Sequence, residues 1–150
     1  MRKTVFSVFV LLTVLLLASC GGTAKITTEI TPEIEDQELG LKAWIEDGSY
    51  LYVEIKGNPT TGYVWGYRID NANVVENVVS EYQMDKSEYE MVGVGGIYTF
   101  TFQAKQEGTA HIILSYSRSW EVSTLSTAAF DVTVDANGNI SSLVLAGVER

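Results

Sequence analysis

The sequence contains one cysteine, one histidine and two prolines among its 150 residues. A single cysteine cannot form a disulfide within the chain, and one histidine with one cysteine cannot supply a zinc site or a serine or cysteine nucleophile with its histidine base. The histidine, His111, lies in the middle of a predicted strand, opposite its apolar neighbours, which is typical of a solvent-facing residue. We therefore expect no enzyme activity, no metal and no cofactor.

Basic residues are also few. The chain has 10 Lys and Arg against 19 Asp and Glu, which gives a formal net charge of −9. Phosphate groups repel such a chain, and no stretch of it carries a basic stripe, so we exclude nucleic acid as a partner. A third scarcity is structural, because no segment of the chain shows the 3.6-residue apolar period of an amphipathic helix.

Residues 1–19 are predicted to be an export signal. Arg2 and Lys3 give a positive start, and residues 5–17 form an apolar run that is shorter than a membrane span. The run ends in Leu-Ala-Ser-Cys at residues 17–20, which resembles the bacterial lipobox. This resemblance implies that Cys20 is lipidated and becomes the new N-terminus. The alternative is an ordinary secretory signal in which Cys20 falls near the cleavage point.

Lipidation of Cys20 predicts a membrane-anchored lipoprotein of the cell envelope, on its periplasmic or extracellular face. Removal of residues 1–19 removes two basic residues and no acid, so 8 basic residues face 19 acidic ones and the net charge becomes −11. Residues 20–37 are expected to form a tether, alone or with a first edge strand interrupted at Pro32. Within it, the acids of residues 33–36 lack the oxygen spacing of a calcium loop, and we interpret them as solvated.

Residues 38–150 are predicted to form one all-β domain. Leu51, Val53 and Ile55 alternate with polar residues at the two-residue period of a half-buried strand. Trp65 is predicted to be a core tryptophan on an inner face shared with Tyr63, Tyr67 and Ile69. Seven to eight short strands, with turn signals about ten residues apart, predict an immunoglobulin-like antiparallel β-sandwich. A closed barrel is the alternative fold.

Residues 58–63, with the sequence Asn-Pro-Thr-Thr-Gly-Tyr, connect two of these strands. Pro59 fixes its own φ and favours an extended Asn58, while Gly62 tolerates a positive φ. A loop with few alternative conformations loses little entropy when it binds a partner. The same composition also suits a simple turn, so this motif alone leaves both interpretations open.

Two further connections have unusual sequences. Residues 86–96 end in Gly-Val-Gly-Gly, and residues 116–127 contain Arg-Ser-Trp-Glu at 118–121. Because strands reverse direction in an antiparallel sandwich, loops two connections apart return to the same end. We therefore expect these two loops to cluster with residues 58–63. Trp120 is interpreted as an anchor for a partner, since tryptophan is enriched at interface hot spots; the alternative is an indole folded back on the sandwich edge.

These three motifs, in this order and at these separations, resemble the chagasin family of cysteine peptidase inhibitors over residues 39–134. The resemblance implies an immunoglobulin-like domain that inhibits papain-like cysteine peptidases reversibly, with three loops across the active-site cleft. It places the first motif at the catalytic centre, the glycines on one wall and the Arg-Ser-Trp loop on the other. The residues implied to bind the peptidase are Asn58, Pro59, Thr60, Thr61, Gly62, Tyr63, Gly93, Gly95, Gly96, Arg118 and Trp120.

One position departs from the family pattern. The family has proline between the arginine and the tryptophan of the third motif, and this chain has Ser119. Loss of the proline frees φ there, which predicts a less rigid loop and weaker binding. The alternative function is an adhesive or structural immunoglobulin-like surface module without inhibitory activity. In either case we expect a monomer.

Overall fold

The computed structural model describes residues 33–86 and 93–150. The predicted signal, Cys20 and most of the tether lie outside these residues. The described residues form nine strands and one short 3₁₀ turn, Pro59–Thr61. The strands are β1 (Glu33–Asp36), β2 (Leu41–Glu46), β3 (Tyr50–Gly57), β4 (Val64–Ile69), β5 (Val75–Met84), β6 (Gly96–Ala104), β7 (Gly108–Ser117), β8 (Thr124–Val134) and β9 (Ile140–Glu149).

The strands divide between two antiparallel sheets. Sheet A has the order β1-β2-β3-β6-β5, and sheet B has the order β4-β7-β8-β9. The predicted antiparallel sandwich is confirmed, and the barrel alternative is wrong because the strands form two separate sheets. Most strand positions agree with the sequence alternation to within a few residues, which is the usual uncertainty of element ends.

The strand beyond the predicted seven to eight is β1. It pairs with β2 in the register Glu33↔Trp44 to Asp36↔Leu41. Ile34 packs against the core, and the Glu33 carboxylate lies 2.6 Å from Lys42 Nζ. Residues 33–36 therefore form the first edge strand that one of our two alternatives named, and Glu33 and Glu35 are exposed to solvent, as we interpreted these acids. They flank an apolar residue that the sheet buries, and the sandwich includes the chain from Glu33 rather than from residue 38.

The core lies between the inner faces of the two sheets. Leu51, Val53 and Ile55 are fully buried, as their alternation predicts, and so are the inner residues of β7 and β8. Full burial of each such aliphatic side chain contributes about 1.5–3 kcal/mol. The close-packed sandwich therefore gives the loops at its ends a rigid base.

The predicted inner face of β4 is only partly correct. Trp65 is buried, and its Nε1 donates a hydrogen bond to Lys56 O at 2.9 Å, which joins the two sheets. Tyr67 is 44% exposed, although its ring packs edge-on against Phe100 and Phe102. The difference arises because β4 is the edge strand of sheet B, so no neighbouring strand covers one side of it.

Three connections lie at one end of the sandwich, which we call the loop end. They join β3 to β4, β5 to β6 and β7 to β8. Their proximity follows from the strand pairing, since Gly57 pairs with Gly96 and Val64 pairs with Ser117. Strand β1 begins at the opposite end, which we call the far end, because Glu33 pairs with Trp44 beside the β2–β3 turn.

No helix within residues 33–86 and 93–150 is long and apolar enough to cross a membrane.

Candidate functional site

The candidate site is formed by the three connections at the loop end. We name residues 58–63 the first loop, residues 85–95 the second loop and residues 118–123 the third loop. The structure describes all of the first and third loops, and residues 85–86 and 93–95 of the second. It brings the second and the third loop each into contact with the first, and their shared end of the sandwich is the one that the reversal of strand direction predicts.

The first loop is a self-capped 3₁₀ turn. Asn58 is extended, with φ −136° and ψ 92°, and its Oδ1 accepts a hydrogen bond from Thr60 N at 3.1 Å. Pro59 begins the turn, where its missing N–H costs nothing. Gly62 ends it with φ 85°, a left-handed conformation that favours glycine, and its N–H donates to Pro59 O at 2.9 Å. Each residue that predicted a restricted loop has a structural role in this turn.

Asn58 also connects the first loop to the rest of the site. Its backbone N–H donates to Tyr116 Oη at 2.8 Å, and Tyr116 Oη donates to Asn58 O at 3.2 Å. Its side-chain Nδ2 donates to Gly93 O in the second loop at 2.8 Å. One asparagine therefore joins the first loop to β7 and to the second loop.

The threonine hydroxyls of the first loop donate their protons within the loop. Thr60 Oγ1 donates to Asn58 Oδ1 at 2.6 Å, and Thr61 Oγ1 donates to Asn58 O at 2.7 Å. Both side chains are exposed. Toward a partner they therefore present methyl groups and hydroxyl lone pairs, which accept hydrogen bonds rather than donate them. Their contact with a peptidase stays a prediction.

The glycines of the second motif differ in their surroundings. Gly93 is exposed, with φ 86°. Gly95 lies so close to β3 that a Cβ on it would be 3.2 Å from Gly57 O. Gly96 is buried as the first residue of β6, where the backbone of β5 covers it. The lack of a side chain at Gly96 thus serves strand packing, and its contact with a peptidase wall stays a prediction.

The third loop contains a turn at residues 118–121, closed by a hydrogen bond from Glu121 N to Arg118 O at 3.1 Å. Ser119 takes the second position of this turn, which favours proline. Trp120 is 70% exposed, and its indole lies over the first loop, since a Cβ on Gly62 would be 2.8 Å from Trp120 Cη2. The alternative of an indole folded back on the sandwich edge is therefore wrong.

Arg118 is turned toward the first loop. Its Nε and Nη2 donate to Thr61 O at 3.3 and 3.0 Å, and its Nη1 donates to Glu121 Oε1 at 2.8 Å. The guanidinium carbon lies 4.2 Å from the ring centroid of Tyr63. The hydrogen bond to Glu121 raises the pKa of Arg118, so the group stays charged. Three of its donors are therefore used within the protein.

His111 lies away from this site on the outer face of sheet B. It is exposed, as predicted, and its Nδ1 lies 2.5 Å from Asp131 Oδ1, while its Nε2 lies 3.9 Å from Asp70 Oδ2. The hydrogen bond to Asp131 raises the pKa of His111, and the charges of Asp131 and Asp70 raise it further. Within the described ranges, the His, Cys, Asp and Glu side chains form no group of three or more able to hold a metal.

Two supporting residues were missed by the sequence analysis. Tyr116 holds the first loop from β7, and Glu121 holds the guanidinium of Arg118. Tyr116 continues the inward alternation of Ile112 and Leu114, so an aromatic hydroxyl beneath the loops was a signal in the sequence. Glu121 lies three residues after Arg118, which is close enough in a turn for an ion pair.

Comparison with known proteins adds three findings. The profile of the chagasin family peptidase inhibitor I42 matches residues 45–134, a range that contains all three loops. Amoebiasin-1 of Entamoeba histolytica is 36% identical over 76 residues, which cover 51% of this chain and 72% of that protein. The crystal structure of the cysteine protease inhibitor EhICP2 from Entamoeba histolytica is similar over 57% of this chain and 78% of that one, with a TM-score of 0.51 and 24% identity. At this identity the last similarity shows the fold alone.

Proposed function

Because the chain belongs to the chagasin family of peptidase inhibitors and not to a family of enzymes, we propose that it inhibits papain-like cysteine peptidases. In this proposal the three loops lie across the active-site cleft of the peptidase. The first loop occupies the catalytic centre, and the second and third loops contact the two walls. Inhibition is reversible, since the loops supply no reactive group.

The observation that most supports this proposal is the contact among the loops. Asn58 Nδ2 reaches Gly93 O at 2.8 Å, and Arg118 Nη2 reaches Thr61 O at 3.0 Å. Three separate chain segments therefore form one preorganised surface, which lowers the entropy cost of binding. A standard protein interface covers about 800 Å² on each partner, an area within reach of three adjoining loops.

The first loop also has a structure that resists cleavage. Its carbonyl oxygens at Asn58, Pro59 and Thr61 accept hydrogen bonds from within the protein. Peptide recognition by strand addition needs an extended segment with free main-chain groups. A 3₁₀ turn at the catalytic centre is not extended and has most of its main-chain groups bonded within the protein, so we expect the complex to persist without hydrolysis.

The direct test is a titration of the purified full-length protein, in mild detergent, against papain with a fluorogenic peptide substrate. We expect inhibition at nanomolar to micromolar concentration. Thr61→Glu should abolish it, since a bulky charge would stand at the catalytic centre. Thr109→Glu is the matched control, because Thr109 is exposed at the far end of β7. Absence of inhibition by the wild-type protein, with its fold verified by circular dichroism, would contradict the proposal.

We also propose that Cys20 carries a lipid that anchors the protein in the cell envelope, on the periplasmic or extracellular face. The chain enters the sandwich at Glu33 at the far end, an arrangement that suits an anchor on the side away from the loops. Mass spectrometry of the protein from a bacterial membrane fraction should find an acylated N-terminal Cys20. Cys20→Ser should release the protein into the soluble fraction, and an unmodified cysteine in the membrane-expressed protein would contradict the anchor.

An adhesive or structural module without inhibitory activity is the second candidate. It predicts that changes in the three loops leave the protein's interactions unaltered. The hydrogen bonds between loops favour the inhibitor, since a purely structural module has no need to join loops from different strand pairs. Under both candidates we propose a monomer, and size-exclusion chromatography with light scattering tests it.

A further inference from the structure

The third loop is held in position mainly by side chains, of which Arg118 makes the most hydrogen bonds. Between β7 and β8 it has one backbone hydrogen bond of its own, Glu121 N to Arg118 O. Its hydrogen bonds to the first loop come from Arg118, which donates twice to Thr61 O, and from Glu121, whose Oε2 lies 3.4 Å from Tyr63 Oη; Trp120 adds packing on Gly62. The side chains of Arg118 and Glu121 are each 31% exposed, so water reaches this pair only in part.

This arrangement does not suit a role for Arg118 as a direct contact with the peptidase. The N–H donors on two edges of the planar Arg118 guanidinium are already hydrogen-bonded, to Thr61 O and to Glu121, and one of its faces lies on the Tyr63 ring. A new partner would have to compete with charge-assisted hydrogen bonds, which are about twice as strong as neutral ones. The neighbouring Trp120 is 70% exposed, so most of its indole is open to a partner.

The same arrangement also explains how the loop is ordered without the proline of the family. Proline at position 119 would restrict the turn by fixing φ. In this chain Arg118 restricts the turn from outside, because Glu121 closes one end of it and Thr61 holds the guanidinium to the first loop. Trp120, between Arg118 and Glu121, is thereby held against Gly62.

We infer that Arg118 is a positioning residue that fixes the third loop on the first and orients Trp120 toward the peptidase, in a turn whose second residue, Ser119, does not itself fix φ. This inference rests on the proposed inhibitory function of the loops. It assigns the contact with the cleft wall to Trp120 and removes it from Arg118. The surface of the loops is then held in place by the several hydrogen bonds of the planar Arg118 guanidinium, which a lysine ammonium cannot reproduce.

Inhibition constants of three variants test the chemistry. Arg118→Ala should raise the inhibition constant for papain about tenfold, the effect expected for loss of charged hydrogen bonds. Arg118→Lys should lose nearly as much, because an ammonium cannot reach Thr61 O and Glu121 together with the geometry of the fork. Arg68→Ala is the matched control, an exposed arginine on β4 away from the loops, and should have no effect. Full retention of inhibition by Arg118→Lys would overturn the inference.

A double-mutant cycle with Trp120 separates positioning from direct contact. If Arg118 acts through Trp120, the double variant Arg118→Ala/Trp120→Ala should inhibit within about twofold of Trp120→Ala alone, since coupled residues are not additive. Addition of Ser119→Pro to Arg118→Ala should recover at least about half of the lost affinity, because proline restores the restriction on φ. Additive losses together with no rescue by proline would overturn the inference.

The order of the Trp120 side chain gives a readout that does not depend on inhibition. In the free protein, the NMR order parameter of the Trp120 indole N–H should fall in Arg118→Ala and stay unchanged in Arg68→Ala. The Trp65 indole, which donates to Lys56 O inside the sandwich, is the internal reference. An unchanged Trp120 order parameter overturns the inference whether or not the protein inhibits. A lowered one supports it even if the proposed function fails at the titration.

Discussion

The first and third loops reach a fixed conformation by different physics. In the first loop the turn itself is closed by local bonds, since the Asn58 side chain caps it and Gly62 N donates to Pro59 O. In the third loop the position depends on Arg118, whose long side chain reaches across to Thr61 O. We therefore expect the first loop to depend less on the third than the third depends on the first.

This difference indicates where each loop is vulnerable. A short turn with a restricted backbone has few alternative conformations, so little entropy opposes it. A long side chain such as arginine loses up to about 2 kcal/mol of rotamer entropy when it is fixed, and its hydrogen bonds must exceed that cost. Substitutions in the first loop should therefore have larger effects than substitutions in the third.

The largest effect is expected for Gly62→Ala. The φ of 85° disfavours any residue with a Cβ, and the added carbon would lie 2.8 Å from Trp120 Cη2, so the first loop would be strained and the Trp120 indole would have to shift. Backbone strain of 1–3 kcal/mol together with the overlap should raise the inhibition constant roughly 100-fold. Gly66→Ala is the control, because a Cβ there meets nothing within 4 Å. Similar inhibition constants for the two variants would show that the first loop tolerates a different shape.

The next effect is expected for Asn58→Ala. The substitution removes the cap on Thr60 N and the hydrogen bond to Gly93 O, so it loosens the first loop and separates the second from it. Loss of an N-cap costs about 1 kcal/mol, and with the second bond the inhibition constant should rise about 30-fold. The control is Asn73→Ala, in an exposed turn at the far end. The rate of amide hydrogen exchange at the second loop should also increase in Asn58→Ala and stay unchanged in Asn73→Ala.

A smaller effect in the opposite direction is expected for Ser119→Pro. Position 119 is the second residue of a four-residue turn, where the fixed φ of proline fits. A compatible proline stabilises by about 0.4–1 kcal/mol, so the inhibition constant should fall by about threefold. With proline at position 119, the third loop would be restricted by its own backbone, as the first loop is. Weaker inhibition would mean that the turn needs a φ that proline cannot adopt.

The smallest effect on inhibition is expected from the titration of His111, which lies outside both loops. Asp131 and Asp70 raise its folded-state pKa above the ordinary value of 6.5. The stability that it contributes is therefore present below pH 6.5 and is lost as the pH rises through the folded-state pKa. An NMR titration should give a lower His111 pKa in Asp131→Asn than in the wild-type protein. The two proteins should have equal inhibition constants at each pH. A difference between them would show that the protonation of His111 on sheet B affects the loops.

Much of the sandwich was predictable because its strands alternate with a period of two residues. Leu51, Val53 and Ile55 could be assigned to the core from their spacing alone. Strand β1 could only be left open between a tether and an edge strand, because its single inward apolar residue, Ile34, lies among acids and one residue shows no alternation. Tyr67 was placed too deep because the sequence does not show which strand forms the edge of a sheet.

The loop end was predictable in its composition and its clustering but not in its internal bonds. Reversal of strand direction brings the three motifs together without knowledge of any side chain. The inward direction of Arg118, in contrast, depends on the distance from β7 to the first loop, which only the packed sandwich sets. The burial of Gly96 likewise depends on how β5 and β6 pair. The spacing of the motifs identifies the candidate residues. Only the folded structure shows which of them are open to a partner and which hold the loops in place.

The direction of strand β1 has a mechanical consequence. Because Glu33 lies at the far end and β1 runs beside β2 toward the loop end, a pull between the chain before Glu33 and a partner held by the loops acts along the strands. The β1–β2 hydrogen bonds then bear the force together, in shear, rather than one after another as in unzipping. At the loop end of β1, Asp36 is also held by Arg150 Nη2 at 2.8 Å. The fold is therefore oriented to bear a load between its N-terminal side and its loops.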